Sequence, residues 1–133
     1  MSDARGATVN HLDEVRAILK PTLDFELKAV TETFYEELGD FAGRTLVSQF
    51  SWDAPWGVWE MHPAGDELVY LLEGDTDFIL RLDGDDRRHR LSEPGSYVIV
   101  PKGVWHTAEP HRPSRALFVT PGQGTQNVES PPV

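Results

Sequence analysis

Four side chains of this 133-residue chain have the types and spacing to share one piece of chemistry: Glu60, His62, Glu67 and His106. Glu60 and His62 lie two apart in Trp56-Gly57-Val58-Trp59-Glu60-Met61-His62. Alternate residues of a strand share a face, so the two point the same way, with Trp56 and Val58 behind them. Pro63-Ala64-Gly65-Asp66 then has turn chemistry, and Glu67 opens the next apolar run, Glu67 to Leu72. An antiparallel return places Glu67 beside Glu60 and His62. Imidazole nitrogen and carboxylate oxygen both bind divalent first-row metals, and two His with one carboxylate leave coordination positions open. Two carboxylates held together without a cation repel, and one of them takes up a proton. Each residue alone also has a plainer reading, because a Glu at a turn is usually solvated and a lone His is commonly a surface or core residue.

The weight comes from a second stretch, Gly95-Ser96-Tyr97-Val98-Ile99-Val100-Pro101-Lys102-Gly103-Val104-Trp105-His106. It reads as a strand, a Pro-x-Gly reversal, and a histidine three residues into the returning strand. Side chains that have to meet across this much sequence need a scaffold, and the rest of the chain supplies one. From Arg44 onward, β-rich runs alternate with Gly, Pro and Asp turns: Thr45–Phe50, Trp56–His62, Glu67–Glu73, Asp77–Leu82, Arg87–Leu91, Ser96–Val100, Val104–Glu109 and Arg115–Thr120. Such spacing predicts an all-β sandwich or small barrel, and no βαβ rhythm is present. Before it, residues 1–9 read as a loose tail. Asn10 caps a short helix whose apolar face is Leu12, Val15, Ile18 and Leu19. Phe25, Leu27 and Ala29 alternate as a strand, and Thr31 to Leu38 reads as a helix stopped by Gly39, with Phe34, Tyr35 and Leu38 buried. Residues 121–133, rich in Gly, Pro and polar side chains, read as an exposed tail.

Composition narrows the function. The net charge of −10 opposes binding to nucleic acid or anionic membranes. The absence of cysteine excludes disulfides, thiolate catalysis and Cys-ligated zinc. The polar start has no signal-peptide core, and no apolar run approaches the ~20 residues of a membrane span, so a cytoplasmic location is expected.

The two site stretches together resemble the cupin superfamily over residues 44–120. The first family motif aligns as Glu60-x-His62-x4-Glu67-x6-Gly74, and the second as Gly95-x5-Pro101-x-Gly103-x2-His106. Glu60 stands where the family carries its first His, Ala54 where it carries a leading Gly, and Pro110 where it carries a final Asn. The resemblance implies a double-stranded β-helix, the jelly-roll barrel, at 44–120, with 1–43 as an extension packed on it and 121–133 as a tail. It also implies a divalent metal (Fe, Mn, Ni or Zn) held by His62, Glu67 and His106. Glu60 is then either a fourth ligand or a nearby acid/base group.

By alternation Trp56, Val58, Val69, Leu71, Val98 and Val100 face the interior and are the expected walls of a small-molecule pocket. Trp59 and Trp105 face away. Arg44, Arg81 and Arg115 are the cations that could reach the cavity. The Arg87-Arg88-His89-Arg90 cluster reads as a solvated strand, and His11 and His111 as surface residues. Two functions remain open. One is a metalloenzyme for a small organic molecule, dioxygenase-like chemistry being slightly favoured over isomerase or lyase chemistry. The other is a non-catalytic binding or sensing module. Small barrels of this resemblance also imply a homodimer.

Overall fold

The computed structural model describes residues 8–132. Its strands are β1 (Val15–Leu19), β2 (Phe25–Ala29), β3 (Thr45–Trp52), β4 (Trp59–Met61), β5 (Glu67–Leu82), β6 (Asp85–Leu91), β7 (Tyr97–Val100), β8 (His106–Pro121) and β9 (Gln126–Val128). One short helix, α1 (Phe34–Leu38), and a 3₁₀ turn, Phe41–Gly43, lie between β2 and β3.

Two long bent strands organise the barrel. The first half of β5 pairs with β7 and with the last part of β8, which pairs in turn with β3. β1 lies beside β3, and β2 beside β1. The second half of β5 pairs with β6 and with the first part of β8, and β4 and β9 continue that layer. All these pairings are antiparallel, giving two layers folded over one interior: the jelly-roll architecture expected. Their corner is a series of register shifts between Leu71 and Thr76. Gly74 sits there at φ 107, where an added Cβ would lie against Ser114 and within 2.6 Å of the Pro113 carbonyl oxygen. Only glycine fits a left-handed position so close to a neighbouring backbone. The turns expected at Gly74-Asp75 and from Pro110 to Ser114 are therefore bends inside continuous strands.

The main core packs inward side chains of both layers, among them Val69, Leu71, Phe78, Leu80, Val100, Ala108, Ala116 and Phe118. A second cluster joins Ile18, Phe34, Leu38, Phe41 and Leu46, so α1 and the 3₁₀ turn close one end of the barrel against β1 and β3. Phe34 and Leu38 are buried as expected, and Gly39 follows at φ 63, but Tyr35 is 51% exposed.

Two sequence expectations fail at the chain ends. The segment read as a helix carrying Leu12, Val15, Ile18 and Leu19 is a turn at 12–14 followed by β1. Val15 and Ile18 are β-branched, and pairing to both β2 and β3 outweighs a helical spacing only a few residues long. The segment read as an exposed tail contains β9, which pairs with β4 through Trp59–Val128, Glu60–Asn127 and Met61–Gln126. Residues 1–7, most of the expected N-terminal tail, lie outside the described residues. No helix among the described residues is long and apolar enough to cross a membrane.

Candidate metal centre

The site lies between the two layers. Glu60 is on β4, directly opposite His106 on β8. His62 follows β4, and Glu67 opens β5, paired with Val100 of β7. β4 and β5 do not pair with each other, contrary to the expectation of one antiparallel hairpin. The convergence survives because β8 pairs with both strands. Two turns brace it: the Gly103 amide donates to the His62 carbonyl at 3.0 Å, and the Lys102 amide donates to Asp66 Oδ1 at 2.8 Å. The Pro-x-Gly and Pro-Ala-Gly-Asp turns thus lock together, fixing His62, Glu67 and His106 relative to one another.

His62, Glu67 and His106 are buried, while Glu60 keeps 31% of its side chain exposed. Glu67 Oε1 lies 3.2 Å from His106 Nε2, and Glu67 Oε2 lies 3.3 Å from His62 Nε2. Glu60 Oε2 is 3.6 Å from His62 Nε2 and 4.0 Å from His106 Nε2. One donor atom from each of Glu60, His62 and His106 falls within a 4.8 Å cluster. His62 Nε2, His106 Nε2 and Glu67 Oε1 are buried and make no aligned hydrogen bond among the described residues. Buried polar atoms are rarely left so, and three of them facing one another fit a bound divalent cation.

The outer contacts support the same fit. His106 Nδ1 lies 3.1 Å from the Val104 carbonyl, which can only accept. The proton of neutral His106 therefore sits on Nδ1, and Nε2 presents its lone pair to the cluster. His62 Nδ1 lies 2.8 Å from Thr125 Oγ1, and the Thr120 hydroxyl donates to Glu67 Oε2 at 2.6 Å. Electrostatics without a cation shows the strain. Burial pushes the Glu67 carboxyl up, but His106 and His62 outweigh it and bring it down to about 2. Burial lowers His106, and Glu67 overrides this to raise it above the usual imidazole value. Glu60 is raised by burial and then by repulsion from Glu67. The cluster thus draws in positive charge, a role a divalent cation fills without protonating any ligand.

A cavity of about 690 Å³ opens beside the cluster, lined by Glu60, His62 and Glu67 and walled by aromatic side chains. Trp56 forms part of the wall, as expected, with its ring edge-on to Trp52 and Phe78 and 6.4 Å from the His106 ring. The other expected wall residues do not line it. Val58 is 37% exposed, because Gly57 at φ 73 breaks the alternation counted back from Glu60. Val69, Leu71 and Val100 do face inward, with Val98 packed beside them, but at their level Phe78, Leu80 and Phe118 fill the interior. The space lies instead against β3, where Leu46, Ser48, Phe50 and Trp52 line it, and against Gly122, Gly124, Thr125 and Asn127 of the C-terminal segment. A small polar Ser48 within an inward apolar row was the available sequence signal for the first group. The second had none beyond its glycines.

The three arginines considered for the cavity are engaged elsewhere. Arg44 pairs with Glu26 at 2.6 Å, Arg81 with Asp86 at 2.8 Å and Arg115 with Glu73 at 3.4 Å. Arg81 also stacks on Trp59, 4.9 Å from its ring centre, on the side away from Glu60. On β6, Arg88 pairs with Asp77 and Glu109, and Arg90 with Asp75, as a surface strand.

No family model and no curated protein matches the chain in sequence. Solved structures do match its fold. A cupin-2 domain containing protein from Shewanella frigidimarina aligns at TM-score 0.50 and 22% identity, covering 58% of this chain and 70% of that one. Bacillus subtilis oxalate decarboxylase, a protein with Mn(II) centres, aligns at TM-score 0.51 and 19% identity over 63% of this chain and 23% of its own length. An oxalate oxidase aligns at TM-score 0.51 and 14% identity over 63% and 45%. This chain therefore spans less than half of either enzyme. With two bent antiparallel strands joining two layers around a Glu–His–His–Glu cluster, the chain has the cupin fold.

Proposed function

We propose that this chain is a small metalloprotein that holds one divalent cation through His62, Glu67 and His106, with Glu60 as a fourth ligand or an acid/base group, and acts on a small organic molecule in the adjoining cavity. The observation that carries this reading is the set of unpartnered buried atoms on His62, Glu67 and His106, aimed at one another beside a cavity large enough for a ligand. A bound metal supplies Lewis acidity and open coordination positions. The chain's own groups do the rest. Trp52, Trp56 and Phe118 exclude water from one wall. His106 and Glu67 are held in orientation by Val104 and Thr120. Glu60, the most exposed of the four, is placed to move a proton at a ligand's edge or to complete the ligand set. Dioxygenase-like chemistry is slightly favoured over isomerase or lyase chemistry because the ligand set leaves positions open.

Metal content by mass spectrometry tests the reading, on protein purified without chelator beside a His62→Ala/His106→Ala double variant. Near-stoichiometric iron, manganese, nickel or zinc, lost in the variant, is expected. No metal and no uptake on reconstitution would leave a metal-free binding module.

The reading extends to a second copy of the chain. Register aligns an outward row of Leu27, Ala17, Val47, Val119, Leu68 and Ile99 across six strands. Phe25, Leu27, Tyr70, Tyr97 and Ile99 on that face are 36–60% exposed. The solvent face of an antiparallel sheet is ordinarily polar. Six strands at their ~4.8 Å spacing give this face a width of about 24 Å from the first strand axis to the last. An apolar sheet face can pair with its own copy under a two-fold axis. Light scattering at high micromolar concentration should give the dimer mass, and a monomer would refute this pairing.

A further inference from the structure

Arg16 is the one buried arginine or lysine among the described residues, at 8% exposure. It points inward from β1 on the same face as Ile18. Asp77, also buried, pairs with Arg88 and His111. Arg16 has no carboxylate within ion-pair reach among the described residues. Its Nη1 donates to Tyr35 Oη at 3.3 Å, and its Nε is buried without a hydrogen bond. The rings of Phe34, Phe50 and Tyr35 lie 4.6, 5.0 and 5.6 Å from its guanidinium carbon. Cation–π attraction offsets part of the desolvation but leaves the charge uncompensated.

Tyr35 and Phe50, which enclose this cation, also line the cavity that holds Glu60, His62 and Glu67. The Tyr35 hydroxyl accepts from Arg16 and donates to no described group, so its proton is uncommitted. A phenol is protonated at neutral pH in any case, and here partial burial raises it further, with Arg16 pulling the other way and Glu60 and Glu67 adding to the rise. Asp40, the other charged residue on the wall, turns Oδ1 to the Ala42 amide at 2.9 Å. Among the described residues no arginine or lysine lines the cavity directly, so the polarised Tyr35 hydroxyl is the route by which Arg16 acts there.

We propose that the Tyr35–Arg16 pair anchors the anionic group of an organic acid, placing the acid's apolar body against Trp52, Trp56 and Phe118 and its other end toward the Glu60–His62–Glu67–His106 cluster. The ligand class is thus an aromatic or branched apolar acid, and the cavity of about 690 Å³ is in the range that takes one. Tyr35 and Arg16 set specificity, whereas the cluster sets reactivity. The inference deepens the proposed function and shares its cavity.

The test titrates the metal-reconstituted full chain with phenylacetate and with its neutral isostere phenylacetamide, followed by tryptophan fluorescence, because Trp52 and Trp56 line the cavity. The acid is expected to bind more tightly than the amide. Arg16→Gln and Tyr35→Phe are each expected to weaken the acid by about tenfold or more and to leave the amide unchanged, while Arg16→Lys retains part of the preference. Equal binding of acid and amide, no binding of the acid, or an acid preference that survives both substitutions (a carboxylate held by the metal instead) would overturn the proposal. If Arg16→Gln fails to fold, Tyr35→Phe, which removes one oxygen, carries the test. Metal content read on the same samples separates this from failure of the metal reading. Selectivity without metal would count against the centre alone, and metal without selectivity against the anchor alone.

Discussion

Replacing Thr125 by valine keeps the side-chain shape and removes one hydroxyl, and it should weaken metal binding from outside the ligand set. His62 is 4% exposed, and its Nδ1 has the Thr125 oxygen as its partner at 2.8 Å. For Nε2 to offer a lone pair to a cation, the ring proton must sit on Nδ1 and be donated to that oxygen. In Thr125→Val the competent tautomer buries an unsatisfied N–H, which costs about 1–3 kcal/mol. At about 1.4 kcal/mol per tenfold, metal affinity falls roughly 5- to 150-fold, spanning the ~10- to 100-fold typical of such outer partners. Metal-free stability changes much less, because the ring can move its proton to Nε2 near Glu67, 3.3 Å away. The assay is competition for Mn(II) or Zn(II) against a chromophoric chelator, with Thr125→Ser as the restoring control and melting curves of the metal-free proteins alongside. Unchanged affinity in Thr125→Val, with the histidine double variant inactive in binding, would refute the tautomer argument.

Gly74→Ala should cost several kcal/mol, seen as a large drop in melting temperature, because its Cβ meets Ser114 and Pro113 and its φ is 107. Gly84→Ala, with open space around it at φ 81, should cost only about 1 kcal/mol or somewhat more. Asp77 gives a pH signature: burial raises its carboxyl, but His111 and Arg88 outweigh that and hold it below the usual value. Its stabilisation is complete above the unfolded carboxyl pKa of about 4 and is lost as pH falls through the lower folded value. Melting of the wild type should therefore fall more steeply than that of Asp77→Asn below about pH 4, the two curves converging in acid. Leu27→Lys combined with Ile99→Glu should shift the light-scattering mass to that of the monomer while leaving metal content unchanged, and no shift would count against the sheet-face pairing.

The cluster was legible in the sequence because its geometry is fixed locally. Pro63 to Asp66 and Pro101 to Gly103 are turns whose residue types dictate their backbone, and each sets a histidine or glutamate a fixed number of residues from the bend. The strands from Thr45 to Leu91 were legible for a similar reason, since alternation and turn residues coincide. Where strands bend without stopping, as at Gly74 and from Pro110 to Ser114, the same residues read as turns. A bulge and a turn use the same glycine and proline chemistry, and only the partner strand distinguishes them.

The cavity was not legible, and the reason is physical rather than a matter of weak signal. Part of its wall comes from the ends of the chain: Tyr35 and Phe41 before the barrel, and Gly122, Gly124, Thr125 and Asn127 after it. β9 is three polar and β-branched residues that acquire strand geometry only because β4 offers an open edge, so nothing in Gln126-Asn127-Val128 foretells it. Arg16 was hidden for the opposite reason. The helical reading of this segment named only Leu12, Val15, Ile18 and Leu19, whereas strand alternation turns Arg16 inward beside Ile18 and within reach of Tyr35. The strands from β3 to β8 provide the cluster and the apolar interior. In this chain the segments before Thr45 and after Pro121 add the Thr125 support for His62 and Arg16, the one buried arginine or lysine among the described residues. Substrate choice should therefore follow changes in residues 10–43 and 121–133 more closely than changes in the inward valines of β5 and β7, which fill the core. Exchanging Val98 for isoleucine should accordingly alter stability without altering acid-over-amide preference, whereas Tyr35→Phe should do the reverse.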